Sequence, residues 1–361
     1  VPAEDCTKYW FVGEPSGKRA ERPMLSPEAV DDNVRSLAGQ LAKFLDFSGP
    51  RPASLVDNAT WLRELSLLDF LRDTGKHFTI NYMLQKDSVK SRLDTGISFT
   101  EFSYMLVQAH DFWHLRQTEQ CELQLGGSDQ WGNITAGIEL IGRRDGTAAH
   151  GLVLPLLTTA GGAKFGKSEG GNVWLDPEKT SPFRFYQFWL NSEDADAERL
   201  LRMFTTVPLP EIAEVMEAQA AEPGKRAAQR FLAQDVTARV HGAATVDRVI
   251  AASEVLFGGR TFQTVDLQTL GVVAGEVTTV VVDRSRLEAG IGIVEALVET
   301  GLASSKADAR RGIEGQGFSV NGEKATSAEL VLSSAHLLGN RYLALQKGRK
   351  TFAFLAVHLT P

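Results

Sequence analysis

Apolar residues recur every three or four positions along much of the chain, and short apolar runs lie between these stretches. The helical spacing predicts helices at residues 29–45, 62–73, 99–117 and 133–143. The short runs predict strands at residues 121–125 and 152–157. Because strands alternate with helices here, we expect a parallel α/β sheet in this first part of the chain.

Helical patterns dominate after about residue 183, and strand patterns almost disappear. Five helices are predicted, at residues 182–190, 194–204, 209–220, 225–240 and 244–256. The last part of the chain differs again, with two short helices and two hairpins, one of which turns at Asn321-Gly322. We therefore expect three domains, at residues 1–183, 184–275 and 287–361, with a joining region around residues 258–275.

Composition excludes several classes of protein. Apolar residues make up 43% of the 361 residues and charged residues 23%, which is typical of a globular chain with an ample core. No run approaches the ~20 apolar residues of a membrane span, and the first residues do not resemble a signal peptide. Two cysteines, Cys6 and Cys121, cannot form a disulfide framework or a metal knuckle, so we expect no metal site and a cytoplasmic location.

Charge is distributed unevenly along the chain. The net charge is −7, yet residues 301–361 carry eight Lys/Arg and four Asp/Glu, a net of +4, which leaves −11 on the other 300 residues. An acidic body with a basic end is a hint of an appended nucleic-acid module. A solvated charged surface is the alternative explanation of the same charges.

A glycine-rich segment, GGAKFGKS at residues 161–168, matches the phosphate-binding P-loop pattern. A P-loop needs a helix directly after it, and the residues that follow, EGGN and then WLDP, do not favour one. Two other interpretations remain open. The segment is either a surface turn, or a loop whose Lys164 and Lys167 neutralise a polyphosphate as a bond to phosphorus changes.

Two further segments carry candidate chemistry. In LGGSDQWGN, residues 125–133, a glycine pair ends a strand, where a nucleotide can approach the backbone; Asp129 either accepts from ribose hydroxyls or merely caps a helix. Tyr104, Gln108 and Asp111 share one face of the helix at residues 99–117, and they either pair internally or contact a ligand.

These segments together resemble the bacterial-type tyrosyl-tRNA synthetases, a class I aminoacyl-tRNA synthetase family. The resemblance rests on KFGKS, GGSDQWGN and SFTEFSY (residues 98–104), and also on FLRD (70–73), GKHF (75–78) and KTSPF (179–183). It implies an incomplete Rossmann-like parallel-sheet catalytic domain, an all-helical anticodon-region domain and a small α+β RNA-binding domain like that of ribosomal protein S-four. It also implies a tyrosine–tRNA ligase that activates L-tyrosine with ATP and its Mg²⁺ counter-ion and transfers it to tRNA-Tyr.

The resemblance assigns residues to roles. The catalytic lysine loop holds Lys164, Lys167 and Ser168, and the nucleotide contacts are Gly127, Asp129, Lys164 and Lys167. The residues that hold tyrosine are Glu14, Tyr104, Gln108, Asp111 and Gln130, of which Asp111 is a candidate partner for the phenol. The tRNA contacts are Lys18, Arg22, Lys306, Arg310, Arg311, Lys347, Arg349 and Lys350. Members of the family are homodimers that associate through the catalytic domain, and no membrane is involved.

Two departures from the family pattern affect the expected activity. No His-x-Gly-His signature, which contacts ATP in the family, occurs in the 361 residues, and Glu14 stands where the family has aspartate. We therefore expect a truncated form with weak or no adenylate formation. The alternative is a non-catalytic RNA-binding paralogue, which would show no tyrosine binding.

Overall fold

The computed structural model describes residues 26–90, 93–94, 96–158, 167–168, 171–348 and 351–358. The chain divides into two compact units, Val1–Phe165 and Gly166–Pro361. Within the described ranges, no helix is both long enough and apolar enough to cross a membrane.

The first unit begins with a run of helices. They are α1 (Pro27–Leu41), α2 (Ala59–Leu62), α3 (Leu67–Asp73), α4 (Ile80–Leu84) and α5 (Asp87–Lys90). The prediction of a single helix at residues 62–73 is wrong, because residues between α2 and α3 are not helical. Ser66 restarts the helix there, since its hydroxyl accepts a hydrogen bond from the Asp69 amide.

A parallel strand pair with two long helices follows. The elements are α6 (Phe99–Thr118), β1 (Leu123–Gly127), α7 (Trp131–Asp145) and β2 (His150–Leu154). β1 pairs with β2 in parallel, in a register that runs from Leu123 opposite His150 to Gly127 opposite Leu154. The predicted α/β arrangement is therefore confirmed for these elements, with strand bounds displaced by two or three residues from those expected.

A close approach of α6 to α7 forms the centre of this unit. A Cβ on Gly137 of α7 would lie 2.8 Å from Phe112 Cδ1, so only glycine allows the phenyl ring of α6 to pack there. Phe112, Leu140 and Ile141 are at most 1% exposed. This packing fixes the rotation of α6, and with it the face that its polar residues occupy.

The second unit opens with a hairpin in place of the helix that a P-loop requires. β3 (Lys167–Ser168) pairs antiparallel with β4 (Gly171–Asn172), so that Lys167 faces Asn172 in the register. The next helix in the described chain starts only at Pro182. The P-loop interpretation is therefore excluded by the backbone.

Helices then continue as the spacing predicted. They are α8 (Pro182–Leu190), α9 (Asp194–Phe204), α10 (Leu209–Ala221), α11 (Ala227–His241) and α12 (Ala243–Phe257). The joining region at residues 258–275 contains a further helix, α13 (Leu267–Glu276), capped by Asp266, whose side chain accepts from the Thr269 amide. The sequence analysis missed this helix because two glycines, Gly271 and Gly275, lie within it.

The C-terminal residues form a mixed α+β region. Its elements are β5 (Thr278–Val282), α14 (Arg284–Ala289), β6 (Ile291–Gly292), α15 (Ile293–Glu299), α16 (Lys306–Glu314), β7 (Phe318–Val320), β8 (Glu323–Lys324), β9 (Val331–Leu332), β10 (Tyr342–Lys347) and β11 (Thr351–Val357). Five strands form one sheet in the order β5-β11-β10-β7-β8. Asn321 and Gly322 both have positive φ, as expected for the predicted tight turn.

Candidate active site

The three polar residues predicted to share a helix face are all buried on α6. Tyr104 and Gln108 are each 6% exposed, and Asp111 is 2% exposed. The helix begins at Ser98 with a capping box, in which the Glu101 carboxylate accepts from the Ser98 amide and the Ser98 hydroxyl accepts from the Glu101 amide. Glu101 is thus buried for a structural reason, and the other polar residues on α6 define the candidate site.

Trp61 holds the Asp111 carboxylate from a distant part of the chain. The indole Nε1 donates to Asp111 Oδ1 over 2.8 Å, and the indole ring stacks on His114, with ring centroids 4.3 Å apart. The indole therefore fixes the orientation of the Asp111 side chain on the buried face of α6. The sequence analysis missed Trp61, since no local pattern relates residues 50 positions apart.

His110, beside Asp111, forms a second connection to α6. Its Nδ1 lies 2.8 Å from the hydroxyl of Thr74, a residue with no exposed surface. Burial, helped by the positive charge of Arg144, lowers the pKa of His110 to about 4. A neutral imidazole therefore ties α6 to the end of α3 near neutral pH.

The glycine pair lies at the carboxyl end of β1, as predicted. A Cβ on Gly127 would lie 2.5 Å from Asp129 Oδ1, so the exposed carboxylate folds back over the glycine backbone. Gln130 is half-buried in the turn before α7, and its amide oxygen accepts from Asn133 Nδ2 over 3.2 Å. The carboxyl end of a strand in a parallel sheet is where ligands of such folds bind.

Two buried amides near these elements were also missed by the sequence analysis. Asn58 Nδ2, just before α2, and Gln124 Oε1, on β1, have no hydrogen-bond partner among the described residues. Their residues are 2% and 3% exposed. Because buried polar atoms in native proteins are nearly always paired, these two atoms are candidates for ligand contacts. Alternation along β1 was the only sequence signal available for Gln124.

Several predicted site residues lie wholly or partly outside the described structure. Glu14, Lys18, Arg22, Lys164, Arg349 and Lys350 are outside the described residues, as are the side chains of Lys167 and Ser168. The remaining predicted tRNA contacts, Lys306, Arg310, Arg311 and Lys347, are exposed in the C-terminal region. No group of three or more His, Cys, Asp or Glu suited to a metal ion occurs in the part of the chain that is described.

Comparison with known families adds a decisive observation. The family model for class I tRNA synthetases (W and Y) matches residues 11–258. The chain belongs to this family. A second model, the tyrosine–tRNA ligase SYY-like C-terminal domain, matches residues 274–355. The resemblance stated from the motifs is thereby confirmed.

Curated relatives match over nearly the whole chain. The tyrosine–tRNA ligase of Anaeromyxobacter dehalogenans (strain 2CP-C) is 55% identical over 347 residues, which cover 96% of this chain and 82% of the relative. The tyrosine–tRNA ligase of Porphyromonas gingivalis (strain W83) is 47% identical over 357 residues, covering 96% and 83%. These comparisons do not support the expected truncated form or the non-catalytic paralogue.

A solved structure has a related fold. A C-terminally truncated mitochondrial tyrosyl-tRNA synthetase of Aspergillus nidulans matches with a TM-score of 0.60 and 32% identity, covering 70% of this chain and 75% of that chain. The Rossmann-like class I catalytic fold expected from the sequence is confirmed by this likeness and by the family match.

Proposed function

We propose that this chain is a tyrosine–tRNA ligase, which activates L-tyrosine with ATP and transfers the tyrosyl group to tRNA-Tyr. The observation that carries the proposal is the buried polar face of α6, where Asp111 is held by Trp61. The relatives reported above support it, since each is named for the same activity.

The tyrosine substrate is held mainly by α6. Tyr104, Gln108 and Gln130 position the amino acid, with Glu14 at the amino group, and Asp111 accepts a hydrogen bond from the phenol. Phenylalanine lacks that hydroxyl and would leave a buried carboxylate without one of its donors. No water replaces a donor lost at a buried group, so the site favours tyrosine over phenylalanine.

The nucleotide is held at the end of β1. Gly127 lets ATP approach the backbone, and the exposed carboxylate of Asp129 accepts from ribose hydroxyls. ATP arrives as a substrate with Mg²⁺ as its counter-ion.

The chemistry of activation requires no general base. The tyrosine carboxylate is already a nucleophile, and it attacks the α-phosphorus of ATP while the bond to pyrophosphate breaks. Positioning and charge stabilisation therefore supply most of the catalysis. Lys164, Lys167 and Ser168 stabilise the charge that accumulates on the departing pyrophosphate.

Calorimetric titration of the 361-residue chain with tyrosine and with phenylalanine tests this proposal. Saturable binding of tyrosine and none of phenylalanine is expected, and absence of tyrosine binding would contradict the proposal. Tyrosine-dependent exchange of pyrophosphate into ATP then tests the activation step. Weak or no exchange remains a prediction because the chain contains no His-x-Gly-His, and robust exchange would show that prediction to be wrong.

tRNA-Tyr is the proposed macromolecular partner. Exposed Lys306, Arg310, Arg311 and Lys347 would contact its phosphates, together with Lys18, Arg22, Arg349 and Lys350. Contacts of this kind release counter-ions, so binding should weaken steeply as salt rises.

A homodimer is proposed from an apolar surface on the first unit. Leu67, Leu71, Ile80 and Phe99 are 47–78% exposed, and they line a groove of about 1010 Å³. Exposed apolar patches of this kind mark protein interfaces. A second copy of the chain is the proposed occupant, since the family resemblance implies dimers that form through the catalytic domain.

Charge placed in this groove should separate the two copies. Leu67→Asp puts a carboxylate at the first position of α3, where the helix itself tolerates it. Leu209→Asp is the matched control, since Leu209 also begins a helix and is 60% exposed, against 69% for Leu67. Sedimentation should show a monomer for the first variant and a dimer for the second. A dimer in both would contradict the assignment of this surface.

A further inference from the structure

The five-stranded C-terminal sheet is covered on both of its faces. Leu343, Leu345 and Leu355 point to one face, in a core shared with Leu297 and Ile313 of α15 and α16. The alternate residues of the same strands point to the opposite face. They are Tyr342, Phe352 and Phe354, and they are 7%, 9% and 0% exposed.

The second face packs on the region between α12 and β5. Phe262 is 4% exposed, and its ring lies 5.7 Å from the ring of Phe352 and 5.8 Å from that of Phe354, in edge-to-face geometry. Tyr342 packs edge-to-face on Phe354, with ring centroids 5.9 Å apart. We call Phe262, Tyr342, Phe352 and Phe354 the aromatic junction.

Backbone contacts close the edges of the aromatic junction. Gln263, which follows Phe262, donates from Nε2 to the carbonyl of Asn321 in the turn between β7 and β8. A Cβ on Gly339 would lie 2.9 Å from Leu267 Cδ1, so the turn before β10 is pressed against the first turn of α13. Contacts therefore come from three separate parts of the C-terminal region.

Domains joined by a linker are expected to move relative to one another unless their interface is well packed and apolar. The aromatic junction is such an interface, with four nearly buried rings. We propose that the aromatic junction holds the C-terminal domain and α13 as one body, and that Phe262 is a positioning residue for tRNA binding. This inference rests on the proposed function, because it assigns the body to tRNA.

A C-terminal domain held in place should raise the affinity of the chain for tRNA. Lys306, Arg310, Arg311 and Lys347 lie on the C-terminal domain, and none of them belongs to the aromatic junction. If the domain is held in one orientation, a tRNA that has bound elsewhere on the chain meets these cations already in place. A domain released on a tether presents the same charges at a lower effective concentration, so affinity falls without loss of any cation.

Two variants open the aromatic junction in different ways. Phe262→Ala removes the central ring, and Phe262→Leu restores part of its volume. Gly339→Ala instead drives a methyl group into Leu267, at a position with φ of +55°. Gly301→Ala is the matched control, since Gly301 has φ of +73° in the same domain with nothing within 4 Å of an added Cβ. Comparing Gly339→Ala with Gly301→Ala separates the effect of the contact with Leu267 from the effect of backbone strain.

The decisive measurement is the dissociation constant for tRNA-Tyr, obtained by fluorescence anisotropy with the full chain. It should rise about tenfold for Phe262→Ala and Gly339→Ala. It should rise less for Phe262→Leu, and should stay within about twofold of the unaltered chain for Gly301→Ala. Calorimetric tyrosine binding should be unchanged in all four variants, and small-angle scattering should show a larger radius of gyration only where affinity falls.

Several results would overturn the inference. These are unchanged tRNA affinity in both Phe262→Ala and Gly339→Ala, an equal loss in Gly301→Ala, or an unchanged radius of gyration. Gly339→Ala against Gly301→Ala decides the question if Phe262→Ala does not fold. A chain that binds neither tyrosine nor tRNA before substitution contradicts the proposed function instead, and scattering of the same variants still tests whether the junction holds the two parts together.

Discussion

The polar face of α6 and the basic residues of the C-terminal domain differ most in their exposure to water. Asp111 is 2% exposed on α6, whereas the side chains of Arg310 and Lys347 are 57% and 49% exposed. A buried polar group cannot replace a missing hydrogen bond with water, so it discriminates between ligands that supply the bond and similar ligands that do not. An exposed cation attracts any phosphate, and salt screens it. The proposed tyrosine site should therefore supply specificity, and the proposed tRNA surface should supply salt-dependent affinity.

The two regions also differ in how their charges are held. Asp111 accepts from an indole that is itself stacked on His114. Arg310 lies 3.7 Å from Glu329 and Lys347 lies 4.0 Å from Asp308, distances typical of loose surface pairs. Substitutions should consequently have large, ligand-specific effects on α6 and small, additive effects on the C-terminal domain.

The largest effect is expected from Asp111→Asn. The amide keeps the size of the side chain and can still accept from Trp61, but its NH₂ group cannot accept from a phenol. We expect kcat/KM for tyrosine in pyrophosphate exchange to fall about 100-fold, the usual consequence of losing a charged hydrogen bond in a buried site. Preference for tyrosine over phenylalanine should fall with it.

Asp145→Asn is the control for that substitution. Asp145 also accepts from an indole, that of Trp113, over 2.7 Å, but it lies at the exposed end of α7. Exchange should be nearly unchanged in this variant. Equal losses in the two variants would mean that the Asp111 carboxylate serves the fold and not the substrate, and the comparison between regions would fail.

A smaller effect is expected at the nucleotide site from Gly127→Ala. The new methyl group would displace the Asp129 carboxylate, whose Oδ1 lies 2.5 Å from the Cβ position. Stability should change little, because the end of one side chain can move. The KM for ATP should rise about tenfold through loss of the ribose contact. Gly132→Ala, where the nearest atom is Lys86 Cδ at 3.7 Å, should leave that KM as it is.

On the proposed tRNA surface, Arg311→Ala should weaken tRNA binding only severalfold. The decline of the log association constant with log salt concentration should become shallower by about 0.9. Arg286→Ala in the same domain is the control, since Arg286 is paired with Glu295 and Glu299 at 2.8 Å each. Filter binding between about 50 and 200 mM salt, where affinity changes steeply with salt, would measure the slope for each variant. A slope that changes equally in both variants would show that Arg311 touches no phosphate.

The smallest effect is expected from the neutral histidine behind α6. The pKa of His110 is lowered to about 4 by burial, against about 6.5 in an unfolded chain. As pH falls below about 6.5 the unfolded chain takes up this proton first, so the contribution to stability is present above that pH and is lost as pH falls towards 4. His110→Asn keeps a partner for Thr74 without titrating. Urea unfolding at several pH values should show a flatter pH dependence in the variant, and an identical dependence would be the contrary result.

The local pattern of apolar and polar residues was sufficient to predict most helices and the polar face of α6. The start of α8 follows from Ser181-Pro182, and α9 follows from the helical spacing of Ala197, Leu200, Leu201 and Phe204. The break between α2 and α3 was missed because Leu62, Leu67 and Leu68 continue a helical spacing across Ser66. Leu67 and Leu68 are 69% and 77% exposed, so the helical spacing of these leucines does not mark a buried helix face.

The sequence by itself determined which residue types occur at the candidate site, because Tyr104, Gln108 and Asp111 share a helix face through a periodicity that is local. Tertiary structure alone decided what surrounds them. Trp61 reaches Asp111 across 50 residues, and Phe262 meets Phe352 across 90 positions of the sequence, through packing that depends on how whole elements fit together. Such contacts leave no periodic signal, since the energy that selects them comes from shape and burial and not from spacing along the chain.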